Sequence, residues 1–407
     1  MWIYIVLYML LFLTSMCELS EEKKKYNLFF LYFWVVVFTL FRGLRWGTGT
    51  DWSQYYACFE KSDWSNIFSY YRYGLYTELM ESGYVFLNVL IKSLFKHYTS
   101  FLLLTNLAVL LNYAHFCRTY VPKYPLMTFV LVLFFTPIFP VRQDIAIIFL
   151  LWACYFSINK KIILSLFFVF IASTIHDMSV IFFPVCLLFN LQISITTIFV
   201  LGIVFVLFVN DAFLFSILQF LGGLSLGSVS EMSSMYFENV NNEPVKVSLF
   251  RKVYTIIFLV MFKYYYEKKI DFPKLLKEKR ENASLEFKYW VRYIRRSMMY
   301  RRVLNFYTNG YLCLFMILLI AAVGGPLSGC ARLMNFFWVS FPFCYMIVYS
   351  MERNITIQRR LLVIYVVYSL YYFFKFDIFE IDALYRQIYF PYYSVFEEVP
   401  YQRIVPW

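Results

Sequence analysis

The sequence predicts an all-α fold, a polytopic transmembrane helix bundle of about 12 spans. Three observations lead there. Of the 407 residues, 61% are hydrophobic and 23% aromatic, while only 15% are charged. The mean hydropathy of +0.63 lies well above that of a soluble domain. The apolar residues also arrive in runs of spanning or near-spanning length. The same composition excludes a disordered chain, and 13 Gly with 12 Pro exclude collagen-like or linker-like sequence.

The runs follow one another closely enough to read as a single integral membrane domain over residues 1–407. Their apolar cores are Met1 to Cys17, Asn27 to Phe41, Thr99 to Cys117, Tyr124 to Phe139, Ile145 to Ile158, Ile162 to Ile175 and Met178 to Phe189. They continue with Ile193 to Val209, Phe250 to Tyr266, Tyr307 to Val323, Leu333 to Tyr349 and Leu361 to Phe374. The first lacks the basic start and small-residue cleavage site of a secretory signal, so a retained helix is expected.

Positive charge orients the bundle. No basic residue occurs in Met1 to Cys17 and Lys23, Lys24 and Lys25 follow it, which places the N-terminus outside and this loop inside. Alternation then puts Arg118 and Lys123, Lys160 and Lys161, a basic loop over residues 267–303, and Arg353, Arg359 and Arg360 inside. By this division 23 of the 37 basic and 9 of the 25 acidic residues are inside, and 14 and 16 outside. The net +12 is therefore cytoplasmic and orients the protein; it does not call for a nucleic-acid partner. The basic loop is expected to be partly helical and to lie on anionic headgroups, with Tyr289, Trp290 and Tyr293 at the interface. Segment Gly83 to Phe95 contains Lys92 and fits the scheme only as an interfacial or re-entrant helix within an outer loop over residues 42–98. A second outer loop, 210–249, carries Asp211, Glu231, Glu238 and Glu243 and reads as a lid or a solvated connector.

Eight cysteines are scattered through mainly apolar sequence without a CxxC pair, which argues against a disulfide framework or a zinc site. Cys58 and Cys330 are the two assigned to outer loops and could pair there.

Ionisable groups near bilayer depth are costly and mark function. Four clusters gather at the outer ends of spans. FRGLRWGTGTDWSQYY, Phe41 to Tyr56, combines turn-forming glycines with Arg42 and Arg45, which can fork onto phosphate oxygens, and with the carboxylate of Asp51. An interfacial cap with Asp51 paired to an arginine is its plainer reading. No lysine follows the glycines as a nucleotide-binding P-loop requires. PVRQDIA, Pro140 to Ala146, sets Arg142 at a helix start, where free N–H groups favour an anion; a salt bridge of Arg142 to Asp144 or Asp51 is the alternative. ASTIHDMS, Ala172 to Ser179, offers His176 as a proton acceptor or as a buried hydrogen-bonded ring. GGPLSGCARL, Gly324 to Leu333, ends in Arg332.

Arg45 through GTGTDWSQYY, then ESGYVFLN from Glu81 to Asn88, then Arg142-Gln143 with Ile145-Ala146, then His176 after an apolar helix, resemble the EpsG-type family. These polysaccharide polymerases are similar to the Wzy O-antigen polymerases. The motifs cover about the first 190 residues; beyond them the likeness rests on hydropathy and on Arg332-Leu333 followed by Asn335-Phe336-Phe337.

The resemblance implies a GT-C-like glycosyltransferase of the bacterial inner membrane with its active site facing the periplasm. Its substrates would be undecaprenyl-diphosphate-linked oligosaccharide repeat units, its product O-antigen or exopolysaccharide, and a chain-length regulator a further partner beside membrane lipids. The growing glycan would pass from its lipid diphosphate to the next lipid-linked unit. Diphosphate leaves readily, so the chemistry asks for positive charge on the leaving group and a base for the acceptor hydroxyl. Arg142 and Arg45, with Arg42 and Arg332, are the expected diphosphate ligands; His176, Asp51 and Glu81 are the choices for the base. Gln143, Tyr55 and Trp52 are expected to touch substrate, and Trp46, Tyr56 and Tyr84 are further rings that could stack on sugars. No carboxylate cluster has metal-ligand spacing, so metal independence and no cofactor are expected. A ligase for finished polysaccharide needs the same outer groups. A flippase would favour two related halves, and no internal repeat is visible.

Overall fold

The computed structural model describes residues 2–20, 26–49, 51–71, 79–136, 139, 141–194, 196–197, 200, 249–269, 287–323, 333–372 and 392–397. The described residues are helical with no strand, and two isolated bridges, Arg45 with Ser394 and Tyr71 with Leu79, tie loops together. Thr50, Arg332, Cys330, residues 210–248 of the second outer loop, most of the eighth expected span and residues 270–286 of the basic loop lie outside the described set.

The helices are α1 (Trp2–Ser15), α2 (Asn27–Gly43), α3 (Trp52–Lys61), α4 (Ser82–Phe95), α5 (Tyr98–Tyr120), α6 (Pro125–Phe135), α7 (Arg142–Ile158), α8 (Ile162–Ile175) and α9 (Phe182–Leu188). They continue as α10 (Leu249–Tyr264), α11 (Phe287–Val323), α12 (Met334–Phe337), α13 (Ser340–Met351) and α14 (Ile355–Tyr372). Three stretches are long and apolar enough to cross a membrane: Tyr98–Tyr120, Met298–Ala322 and Met334–Met351. Shorter apolar helices stand at most of the other expected spans. Two boundaries differ from the hydropathy reading by more than a few residues. Helix α11 begins at Phe287, twenty residues before the expected Tyr307, because its first turns are rich in Arg and Lys and escape an apolar window. Helix α14 starts at Ile355, and the exposed Arg359 and Arg360 of its first turns lower the hydropathy there in the same way.

The chain divides into two compact units. Unit 1 comprises Met1–Phe156, Ile162–Phe183 and Glu352–Trp407. Its most extensive pairing is α2 on α5, made close by Gly43, where an added Cβ would stand 2.9 Å from Leu103 Cα. The start of α6 is capped from far away in sequence. Both oxygens of the buried Glu18 accept backbone N–H groups, Leu126 at 2.9 Å and Met127 at 2.8 Å. Pro125 ahead of them has no N–H to satisfy. A carboxylate there also meets the positive end of the helix. Glu18→Ala is expected to lower stability by about 2 kcal/mol, and Glu18→Gln by less, since the amide keeps one acceptor. Thermal unfolding in detergent measures both. Tyr365 of α14 reaches Ser15 at 3.3 Å and the Met127 carbonyl at 3.4 Å, holding α14 to the same corner.

Unit 2 comprises Ser157–Lys161 and Pro184–Met351. Its intramembrane polar groups are spent on helix ends. Asn309 of α11 donates to the carbonyls of Phe189 and Leu191, both at 2.9 Å, and Asn305 adds bonds to the same turn. The buried Lys263 ammonium donates to Asn309 Oδ1 at 3.2 Å and lies over the Tyr266 ring. The free carbonyls ending α9 thus face donors instead of lipid.

Candidate active site

The site lies wholly in unit 1, where the C-termini of α2 and α8 meet the N-termini of α3, α4 and α7. In the same unit the exposed Arg353, Arg359 and Arg360 lie just before and in the first turns of α14, apart from these helix ends.

Two ion pairs fix the start of α7. Arg142 Nη1 pairs with Glu81 Oε2, the residue that N-caps α4. Two positions along, Asp144 Oδ2 lies 3.5 Å from Arg42 Nη1 of α2 and its Oδ1 accepts the Tyr113 hydroxyl at 3.3 Å. The alternative of a bridge from Arg142 to Asp144 or Asp51 is not what forms: Arg142 turns toward α4, and Asp144, about 200° further round the helix, faces α2 and α5. Both pairs are shielded from solvent, with Arg42 0% and Arg142 6% exposed. Nearer its start, α5 carries α3 and α4, through Phe59 on Tyr98 and Phe101 and through Tyr84 on Phe101.

Helix α4 is held at this end by both of its own ends. Gly83 packs on Thr174, whose carbonyl oxygen an added Cβ would approach to 2.7 Å. At the other end Lys92 Nζ donates to the carbonyls of Glu60 and Ser62. Phe86, Leu90 and Leu94 make an exposed apolar stripe along it, continued by Trp64.

The segment after α2 bends through Gly47 (φ 55°) and Gly49 (φ 114°), a left-handed region that a side chain would strain. This brings the backbone beside residues 392–395: Trp46 N–H donates to the Tyr393 carbonyl at 2.9 Å and Val395 N–H to the Leu44 carbonyl at 2.8 Å. Arg45, 1% exposed, stands over the Phe139 ring with Cζ 4.6 Å from its centroid. Asp51, at the start of α3, is exposed and accepts the Tyr55 hydroxyl at 3.4 Å.

His176 is half-buried at the end of α8, and the following Asp177 N–H donates to Glu81 Oε1 at 3.4 Å. His176 thus adjoins the Glu81–Arg142 pair through the chain. Gln143 lies between the two paired residues and is half-buried. Trp52 is 2% exposed; Tyr56 stacks on it at 5.1 Å, and Trp46 and Tyr98 meet its edges. Tyr55 and Tyr84 are also buried, edge to face at 5.6 Å, so the part-exposed rings of this group are Trp46 and Tyr56. Burial, then the nearby Glu60 carboxylate, push the Tyr56 phenol above its ordinary pKa, so it is a neutral hydrogen-bonding group. Cys58 is a buried free thiol that faces the packing of α3. Among the described residues no cluster of metal-ligating side chains occurs.

Sequence reasoning missed Tyr113. Its position inside an apolar span gives no signal, and only the approach of α7 to α5 brings Asp144 to it.

No curated protein and no solved structure matches the chain. The sequence model of the EpsG family matches residues 28–394. That match runs from the first turn of α2, through both ion pairs and His176, to the segment hydrogen-bonded beside Arg45, and by it the chain belongs to the EpsG family, a polysaccharide polymerase-like family of membrane proteins.

Proposed function

We propose that this protein is a polysaccharide polymerase that transfers a growing glycan from undecaprenyl diphosphate onto the next lipid-linked repeat unit at the periplasmic face of the inner membrane. The observation that carries this reading is the pair of buried arginines at the start of α7, Arg142 on Glu81 and Arg42 on Asp144, with His176 next in the chain to Asp177, whose N–H meets Glu81. Guanidinium groups in a low-dielectric site stabilise a departing diphosphate strongly, and helix N-termini add to them. Arg142 and Arg45, with Arg42, take the leaving group. His176, Asp51 or Glu81 accepts the hydroxyl proton of the acceptor sugar. The apolar stripe of α4 is exposed, as expected of a helix set in the outer headgroup region where a polyprenyl substrate would arrive. About 12 spans complete the bundle.

Reconstitution of the purified protein in liposomes with a lipid-linked repeat unit, followed by separation of products by length, tests the reaction. A ladder of longer glycans is expected; movement of substrate across the bilayer without a new glycosidic bond would refute it. Orientation has its own test. The buried Cys58 is a poor reporter, whereas Ser65 and Lys160 are both exposed and lie in loops assigned to opposite sides. In intact spheroplasts an impermeant thiol reagent is expected to label Ser65→Cys, and to label Lys160→Cys only after lysis. The reverse pattern would invert the proposed topology.

A further inference from the structure

The arginine on which the proposed reaction depends most is already occupied by a carboxylate. Glu81 places Oε2 on Arg142 Nη1 and accepts the Asp177 N–H with Oε1 at 3.4 Å. A guanidinium and a backbone N–H are the donors that a phosphate oxygen takes at the start of a helix. The arrangement leaves Arg142 under-supplied with acceptors. Its Nε is buried without a hydrogen-bond partner, and Nη1 also rests on the Met80 sulfur at 3.3 Å, a weak acceptor. A buried donor without an acceptor is costly, so the site favours a ligand carrying more oxygens than one carboxylate. Glu81 sits at the N-cap of α4 with extended backbone (φ −59°, ψ 127°), and its side chain caps no N–H of α4, so its displacement from Arg142 breaks no capping bond of that helix.

Resting on the reading of Arg142 as a diphosphate ligand, we propose that Glu81 is a resident substitute for the substrate's phosphate. It holds Arg142 while the site is empty and is displaced when a diphosphate arrives. Donor binding and release of Glu81 are then one event. The return of Glu81 to Arg142 after transfer competes with the spent lipid diphosphate and helps to expel it.

The probe is inorganic diphosphate, titrated calorimetrically into the full-length protein in lipid nanodiscs. Glu81→Gln keeps the shape and the acceptor for Asp177 N–H but removes the competing charge. It is expected to bind diphosphate about tenfold more tightly than the wild type, and diphosphate is expected to inhibit its residual polymerisation more strongly. Arg142→Ala and the double variant Arg142→Ala/Glu81→Gln are expected to lose this binding. If the wild type binds through Arg142 but Glu81→Gln binds no more tightly, the proposal is overturned and the reading of Arg142 stands. If wild type and Arg142→Ala bind alike, both fall. Should Glu81→Gln not fold, Glu81→Asp, whose carboxylate is one methylene short of Arg142, is expected to tighten binding by a smaller factor. Unchanged or weaker binding in that variant overturns the proposal equally.

Discussion

Arg142→Ala is expected to reduce the initial rate of polymer formation by about a hundred- to a thousandfold, the loss that follows removal of one preorganised donor facing developing negative charge. Arg142 begins α7, so the guanidinium and the free N–H groups of that helix act on the same point. Arg142→Lys is expected to fall between wild type and alanine, because an ammonium keeps the charge but lacks the planar fork that takes two oxygens together. Truncation also strands Glu81, a buried carboxylate, without its cation. A loss of activity could then come from a loosened α4. The double variant Arg142→Ala/Glu81→Gln separates the two causes. It removes the stranded charge and is expected to recover thermal stability in detergent while staying inactive. Recovery of polymer synthesis in the double variant would show that Arg142 serves only to hold α4.

The parts of this site that were legible in the sequence are those carried by local signals. Hydropathy placed α2, α5, α7 and α8 within a few residues, and the turn glycines and the apolar surroundings of Arg42, Arg45 and Arg142 marked one end of the bundle. Which charge meets which depends on helix rotation and level, and nothing local encodes these. Glu81 and Arg142 are 61 residues apart and meet because Gly83 lets α4 lie against Thr174 at the end of α8. Glu18 was indistinguishable from any loop acid, since its role exists only once α6 starts beside it. Cys58 was assigned to a water-facing loop by its polar neighbours, whereas α3 is amphipathic and turns that face inward against α4 and α5. The basic first turns of α11 read as a partly helical loop and not as the start of a span, because long charged side chains lower hydropathy without breaking a helix.

The second large effect concerns stability. Arg42 is 0% and Asp144 2% exposed, they are 3.5 Å apart, and all three guanidinium nitrogens of Arg42 are buried without a hydrogen-bond partner. Asp144 is thus the only carboxylate charge paired with Arg42 among the described residues. Asp144→Ala leaves a buried guanidinium uncompensated and is expected to cost about 3–5 kcal/mol, the range seen when one member of a buried pair is removed. Tyr113→Phe removes only the 3.3 Å hydroxyl bond to Asp144 and is expected to cost about 1 kcal/mol. Replacing both charges with apolar residues of similar volume, Arg42→Met with Asp144→Leu, is expected to restore stability to within about 1 kcal/mol of wild type, since two desolvation penalties vanish together. The charges are then dispensable for folding, and their presence calls for another reason. If the stable double variant makes no polymer, that reason is catalysis, and Asp144 is the positioning residue that holds the Arg42 guanidinium in place. If it polymerises at the wild-type rate, Arg42 has no place in the diphosphate site and the clamp reduces to Arg142 and Arg45. Thermal unfolding and the polymer ladder, measured on the same preparations, decide between these outcomes.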